Sequence, residues 1–196
     1  MNSVAAIVAK KAALRAQALR RRDALAPDTR AAAAEAIVAR ALPVAVRAGM
    51  IVSGYMPIKS EINPIPLMRR YTEAGARLAL PAIVGRGRAL SLRAWSVGDR
   101  LVAGQWSIRE PDAKATELEP DVMIVPLAAF DRRGFRIGYG AGYYDRTIND
   151  LRASKPIVAI GLAYATQEVD EVPTLPHDAR LDLVLTEREV IDCRGA

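Results

Sequence analysis

The sequence predicts an α/β fold, a single three-layer α/β/α domain over residues 1–196 with a mostly parallel central sheet. Three observations carry that prediction. After Pro43, short apolar runs alternate with helical segments of roughly ten residues, the pattern of strands joined by crossover helices. Val122-Met123-Ile124-Val125, ended by Pro126, is continuously apolar, as a central strand covered on both faces must be. With 51% hydrophobic residues, a chain of 196 is long enough for one well-buried core and short for two.

Each element has its own local reason. Residues 3–25 are alanine-rich without Gly or Pro, and Ile7, Leu14, Ala18 and Leu25 recur at helical spacing, which predicts a first helix. Lys11, Arg15 and Arg22 fall four and then seven residues apart, so they line one strip of that helix. Pro27-Asp28 supplies a break and offers Asp28 as the N-cap of a second helix running to Leu42. Residues 50–55 read as a buried strand ended by Pro57, and 64–74 as a helix stopped by Gly75. Further strands are predicted at 77–80, 90–95, 121–125, 157–162 and 181–186, with a helix at 143–152. Ligands of such sheets collect beyond the carboxyl ends of strands, which directs attention to the loops after Tyr55, Val125 and Leu162.

Composition narrows the function classes. The one cysteine, Cys193, allows no internal disulfide and no cysteine-based zinc site, so a reducing compartment, the cytoplasm, is expected. No apolar run approaches the roughly 20 residues that cross a bilayer. The net charge of +6 is carried by residues 1–50, with nine Lys or Arg against three acids; the remainder holds nineteen of each. A presequence, a nucleic-acid arm and a helix delivering cations to an anionic ligand would all look like this.

The most informative segment is 130–146, Phe-Asp-Arg-Arg-Gly-Phe-Arg-Ile-Gly-Tyr-Gly-Ala-Gly-Tyr-Tyr-Asp-Arg, which follows a strand and opens a helix. Gly138, Gly140 and Gly142 alternate, letting the backbone take positive φ and letting amides approach a ligand. Free N–H groups and a helix N-terminus both favour phosphate. Arg136 and Arg146 add cations, and Tyr139, Tyr143 and Tyr144 add flat faces. Asp145, in the first helical turn, would repel a polyphosphate unless a divalent ion bridged them; otherwise it complements the helix dipole, with Tyr144, Ile148 and Leu151 as the core face. The spacing fits neither a Walker loop nor a dinucleotide fingerprint.

Val125-Pro126, Phe130-Asp131, Gly134 and the run Arg136 to Arg146 strongly resemble the 5-formyltetrahydrofolate cyclo-ligases, also called methenyltetrahydrofolate synthetases. Lys11-x-x-Leu14-Arg15, Tyr55-Met56-Pro57 with Glu61-Ile62-Asn63-Pro64, and Gln167 with His177-Asp178, Asp182 and Thr186-Glu187 reinforce the match. The resemblance implies a fold similar to the NagB/RpiA/CoA-transferase-like group. It implies ATP as co-substrate and Mg2+ as cofactor. Lys11, Arg15 and Arg136 are the implied catalytic cations, and these three with Gly138, Gly140, Gly142 and Tyr144 the implied ATP contacts. Met56, Glu61, Tyr139, Gly140, Ala141, Gly142 and Tyr143 are implied to line the folate, with Glu61 accepting from the pterin edge, and Asp145 and Asp178 to hold the metal. His177 receives no acid–base role. Ala141 stands where many relatives carry glycine or a basic residue, and Leu127-Ala128-Ala129 replaces a common Gly-Leu-Ala.

The resemblance disfavours a presequence, because cleavage would discard Lys11 and Arg15. The expected reaction converts 5-formyltetrahydrofolate to 5,10-methenyltetrahydrofolate by phosphorylating the formyl oxygen. The expected partners are therefore folate and ATP, with no nucleic acid and no membrane, and the expected state is a monomer. Two alternatives stand beside this reading: a relative acting on another substrate, and a nucleic-acid binder using the basic first helix.

Overall fold

The computed structural model describes residues 3–195. In chain order it contains α1 (Val4–Asp23), α2 (Pro27–Val38), β1 (Ile51–Ser53), α3 (Ile65–Glu73), β2 (Arg77–Ala82), β3 (Ser91–Ala94), β4 (Val102–Ala103), β5 (Arg109–Glu110), β6 (Val122–Pro126), β7 (Ala129–Phe130), β8 (Arg136–Ile137), α4 (Tyr143–Ser154), β9 (Val158–Leu162), β10 (Leu183–Leu185) and β11 (Val190–Asp192). Seven strands form one sheet in the order β11-β10-β9-β6-β1-β2-β3. The inner pairings are parallel and the two edge strands, β3 and β11, are antiparallel. The α/β fold with a mostly parallel sheet is thus the one the sequence predicts.

Strand β6 shows how the sheet makes two cores. Val122 and Ile124 pack with α2 and α3 residues such as Ile37, Leu67 and Tyr71; Met123 and Val125 face the other way, towards Ile148 and Leu151 of α4. All four are fully buried, so the unbroken apolar run is the signature of helices on both faces.

Several boundaries differ from the sequence expectation for identifiable reasons. Asp28 is not the N-cap of α2: Pro27 takes the first helical position and Asp28 lies in the first turn, since proline's fixed φ suits that place and its missing N–H costs nothing there. The helix ends at Val38 rather than Leu42, where Pro43 disfavours helical geometry for its neighbour. Arg70 of α3 then donates to the carbonyls of Val38 and Arg40, filling acceptors left by the helix end. The ribbons β4–β5 and β7–β8 and the edge strand β11 had no counterpart in the sequence reading.

Ribbon β7–β8 matters most, because it aims the glycine loop. The buried Asp131 carboxylate accepts from the N–H groups of Arg133 (3.0 Å), Phe135 (3.1 Å) and Val172 (2.9 Å), fixing the turn between the strands. Gly134 lies at φ +87°, and a Cβ there would meet the Leu181 carbonyl at 2.5 Å, so the close approach of the two segments requires glycine. Gln167 donates to the carbonyls of Leu127 (2.8 Å) and Ala128 (2.9 Å), holding the turn after β6. Phe130-Asp131, Gly134 and Gln167 therefore support the site and do not line it.

Candidate active site

The site forms where α1 crosses the glycine loop between β8 and α4. Arg15 Nε donates to the Gly138 carbonyl at 2.6 Å, joining residues 123 positions apart. Gly140 (φ +103°) and Gly142 (φ +68°) use the left-handed region; Gly138 does not, and contributes its carbonyl instead. A Cβ on Gly140 would sit 3.5 Å from Arg15 Nη2, so the loop and the guanidinium are in direct contact. Burial lowers the Arg15 pKa, as expected for a cation drawn out of water.

The remaining cations are paired. Lys11 donates to Asp178 Oδ2, which also accepts from the Leu175 N–H (2.6 Å). Arg136, almost fully buried, donates to Asp145 Oδ1 at 2.7 Å, and the same oxygen accepts from the Ala179 N–H at 3.1 Å. Burial would raise the Asp145 pKa, yet the Arg136 charge and hydrogen bond, the Ala179 N–H and Lys11 outweigh it and hold the carboxyl below its ordinary value. Adjacent residues 178 and 179 thus tie the two predicted metal carboxylates to one corner. The Arg136 Nε is buried without a hydrogen-bond partner among the described residues.

The Glu61 side of the loop is built differently. Glu61 closes a turn after β1, accepting from the Ile58 N–H at 2.9 Å while its own N–H donates to the Ile58 carbonyl at 3.0 Å. Burial pushes its pKa up to about 6, with the Ile58 N–H, Arg22 and Tyr139 opposing. Tyr139, 42% exposed, accepts from Arg22 Nη2 at 2.9 Å. Met56 packs at the margin of the core beside α3.

Among the other predicted residues, Tyr144 packs against the core under α4 and burial raises its pKa, which fits the core-face reading of that ring. Tyr143 lies 5.7 Å beneath the Arg146 guanidinium and 6.0 Å from the Trp106 ring. Arg146 also donates to the carbonyl of exposed Ala141. His177 is exposed, and its carbonyl accepts from Asn149. Ser60, Asp23 and Trp106 were not singled out from sequence, and Arg22 was marked only as part of the basic strip.

The predicted metal pair can be tested against its donors. Among the described residues no group of three or more His, Cys, Asp or Glu side chains forms a cage. Two carboxylates beside a glycine-rich loop at a helix N-terminus would suit magnesium, which is commonly held by one or two carboxylates together with substrate phosphates. A cavity of about 610 Å³ opens beside the loop, lined by Gly87, Arg88, Ser91, Glu117, Arg146 and Asp150 among others. Its Arg146, in α4, is the residue that donates to the Ala141 carbonyl of the glycine loop.

Known proteins match this chain over most of its length. A model of the 5-formyltetrahydrofolate cyclo-ligase family matches residues 7–187. A 5-formyltetrahydrofolate cyclo-ligase of Mycolicibacterium smegmatis is 35% identical over 150 residues, 73% of this chain and 76% of that protein. The Escherichia coli K12 protein of the same name is 31% identical over 178 residues, 87% of this chain and 96% of its own. The solution structure of Aquifex aeolicus 5,10-methenyltetrahydrofolate synthetase superposes with a TM-score of 0.76 at 29% identity, covering 95% of this chain and 94% of that one.

Proposed function

We propose, from the premise that this chain belongs to the 5-formyltetrahydrofolate cyclo-ligase family and is a ligase of that kind, that it converts 5-formyltetrahydrofolate to 5,10-methenyltetrahydrofolate with consumption of ATP and release of ADP and phosphate. The observation that carries the ATP reading is the contact of Arg15 with Gly138 at 2.6 Å. It brings the basic strip of α1 to an amide-rich loop at a helix N-terminus, an arrangement suited to polyphosphate.

A formyl amide has a poor leaving group and a weakly electrophilic carbon. Attack of the formyl oxygen on the γ-phosphorus, with ADP leaving, would convert that oxygen into phosphate ester. The aniline nitrogen of the folate then attacks the activated carbon, and the former formyl oxygen departs with phosphate. Lys11, Arg15 and Arg136 would neutralise charge on the transferring group, and the loop amides would orient it. Bound magnesium would supply further charge neutralisation between phosphate oxygens, with Asp145 and Asp178 as its protein ligands. For Lys11 and Arg136 to meet phosphate, each must share or release the carboxylate it now holds.

Glu61 is the proposed pterin acceptor, because one carboxylate can take two adjacent N–H donors together. Met56, Tyr139, Gly140, Ala141, Gly142 and Tyr143 would line the folate and Gly138 the nucleotide side, while Tyr144, packed in the core under α4, would support the loop from beneath and not contact ATP directly. The reading takes no nucleic-acid partner, since Lys11, Arg15 and Arg22 turn inward onto protein groups. Among the described residues no helix is long and apolar enough to cross a membrane; we place the enzyme in the cytoplasm, as a monomer.

The test is direct. Purified protein mixed with 5-formyltetrahydrofolate, magnesium and ATP should generate the near-ultraviolet absorbance of the methenyl product. ATP turnover without that absorbance would favour a relative acting on another substrate.

A further inference from the structure

Arg22 is 1% exposed, and its one ion-pair contact among the described residues is long and solvent-facing. Its Nε donates to Ser60 Oγ at 3.0 Å and its Nη2 to the Tyr139 hydroxyl at 2.9 Å. The nearest acid, Asp23, lies 3.7 Å away and is largely exposed, and Asp23 accepts from Ser60. Nη1 is buried with no hydrogen-bond partner among the described residues. A guanidinium buried with two hydroxyls and only a long, solvent-facing contact to a carboxylate is an expensive way to staple a helix to a turn, and an apolar side chain would do that more cheaply.

The Tyr139 hydroxyl that Arg22 holds at 2.9 Å also hydrogen-bonds Glu61, so the guanidinium reaches that carboxylate through a shared phenol. Tyr139 of the glycine loop hydrogen-bonds Glu61, and the groups whose charge is felt there are Arg22 from α1, Tyr55 just after β1, Tyr144 from α4 and Tyr164 from the turn after β9. Four are phenols, and Arg22 is the one cation in the set. Burial favours the protonated acid at Glu61, and Arg22 opposes it directly and through Tyr139.

We propose that Arg22 is a positioning residue for folate capture: it anchors the Tyr139 hydroxyl and sets a positive charge by Glu61, so that Glu61 meets the pterin as a carboxylate. This rests on the reading of Glu61 as the pterin acceptor. A protonated Glu61 would offer a donor to a ligand edge that itself donates, so the state of this one proton decides whether folate is recognised.

The experiment measures 5-formyltetrahydrofolate affinity by intrinsic fluorescence between pH 5 and 8 in the full-length protein and in Arg22→Gln, Arg22→Lys, Tyr139→Phe and Glu61→Gln. Wild-type affinity should fall as pH drops through about 6. Arg22→Gln should move that break upward by about one pH unit and raise the folate KM about tenfold, with the ATP KM changed by no more than about twofold. Arg22→Lys should restore part of both. If Arg22→Gln does not fold, Tyr139→Phe carries the test, because losing a hydroxyl from a half-exposed ring leaves no cavity. It should shift the break the same way by less. A break unmoved in the Arg22 or Tyr139 variants, with Glu61→Gln insensitive to pH, overturns the role of Arg22 alone. Wild-type folate affinity and pH dependence in Glu61→Gln would instead overturn the Glu61 reading beneath it.

Discussion

Asp145 and Glu61 both border one glycine loop, Asp145 from the helix that follows it and Glu61 through Tyr139, and their surroundings push them in opposite directions. Asp145 has a guanidinium at 2.7 Å and a backbone N–H at 3.1 Å, and its carboxyl is held below the ordinary range. Glu61 has one backbone N–H at 2.9 Å and a ring of phenols, and it is pushed up to about 6. The Asp145 side is a satisfied ionic network that an anionic ligand would have to reorganise. The Glu61 side keeps a carboxylate with one backbone N–H and a Tyr139 hydroxyl and, among the described residues, no cation in hydrogen-bond contact, leaving acceptor capacity that a donor-bearing ligand could use. Stability is gained on one side and withheld on the other, as expected of sites that hold groups ready for partners not yet bound.

The largest effect expected on this contrast is at Asp145. Asp145→Ala would leave the buried Arg136 charge without its carboxylate, which should destabilise the fold by about 3 kcal/mol. Adding Arg136→Met should recover much of that loss in chemical denaturation, since the stranded charge is then gone. Equal stability of wild type and Asp145→Ala would mean the pair contributes nothing, and the contrast would collapse. The sign with pH follows from the depressed value. The contribution is present above the unfolded-state value of 3.8 and is lost as pH falls through the lower folded-state value, so the two proteins should converge in acid.

Next in size is Lys11→Ala, a test of whether the Asp145 side is functional as well as structural. Loss of this cation should lower kcat/KM for ATP about 100-fold and raise the ATP KM, while the folate KM at saturating ATP changes far less. Steady-state kinetics with each substrate varied in turn separates the two. A larger change in the folate KM would move Lys11 to the Glu61 side of the loop.

How much of this contrast could be read without coordinates depends on range. The helices and inner strands were legible because their apolar periods are local: Ile7, Leu14 and Ala18 mark α1, and Val122 to Val125 mark a strand buried on both faces. Strands of two or three residues such as β7, β8 and β11 have no period to detect and exist through long-range pairing. The Asp145 side was legible from the glycine run with its flanking Arg136 and Asp145. The Glu61 side was not: Glu61 was reached through resemblance alone, because its character depends on the 58–61 turn folding back on α1. The spacing that put Arg22 on one strip with Lys11 and Arg15 was the signal available, and it carried no hint that Ser60 and Tyr139 would receive that guanidinium.

Glu61→Gln is the sharpest remaining test, with an effect of opposite sign to Asp145→Ala. A carboxyl raised from 4.5 to about 6 folds more readily when protonated, by about 2 kcal/mol at most. Its contribution is fully present below 4.5 and is lost as pH rises through about 6, so at neutral pH the carboxylate is a burden on the fold. Replacing it with the neutral amide should therefore raise thermal stability at pH 7 by several degrees, and the gain should vanish near pH 4. The same variant should lose folate binding. A protein that becomes sturdier and blind to folate through one substitution is what a withheld carboxylate predicts; a destabilised Glu61→Gln would show instead that the 58–61 turn needs the charge for its own closure.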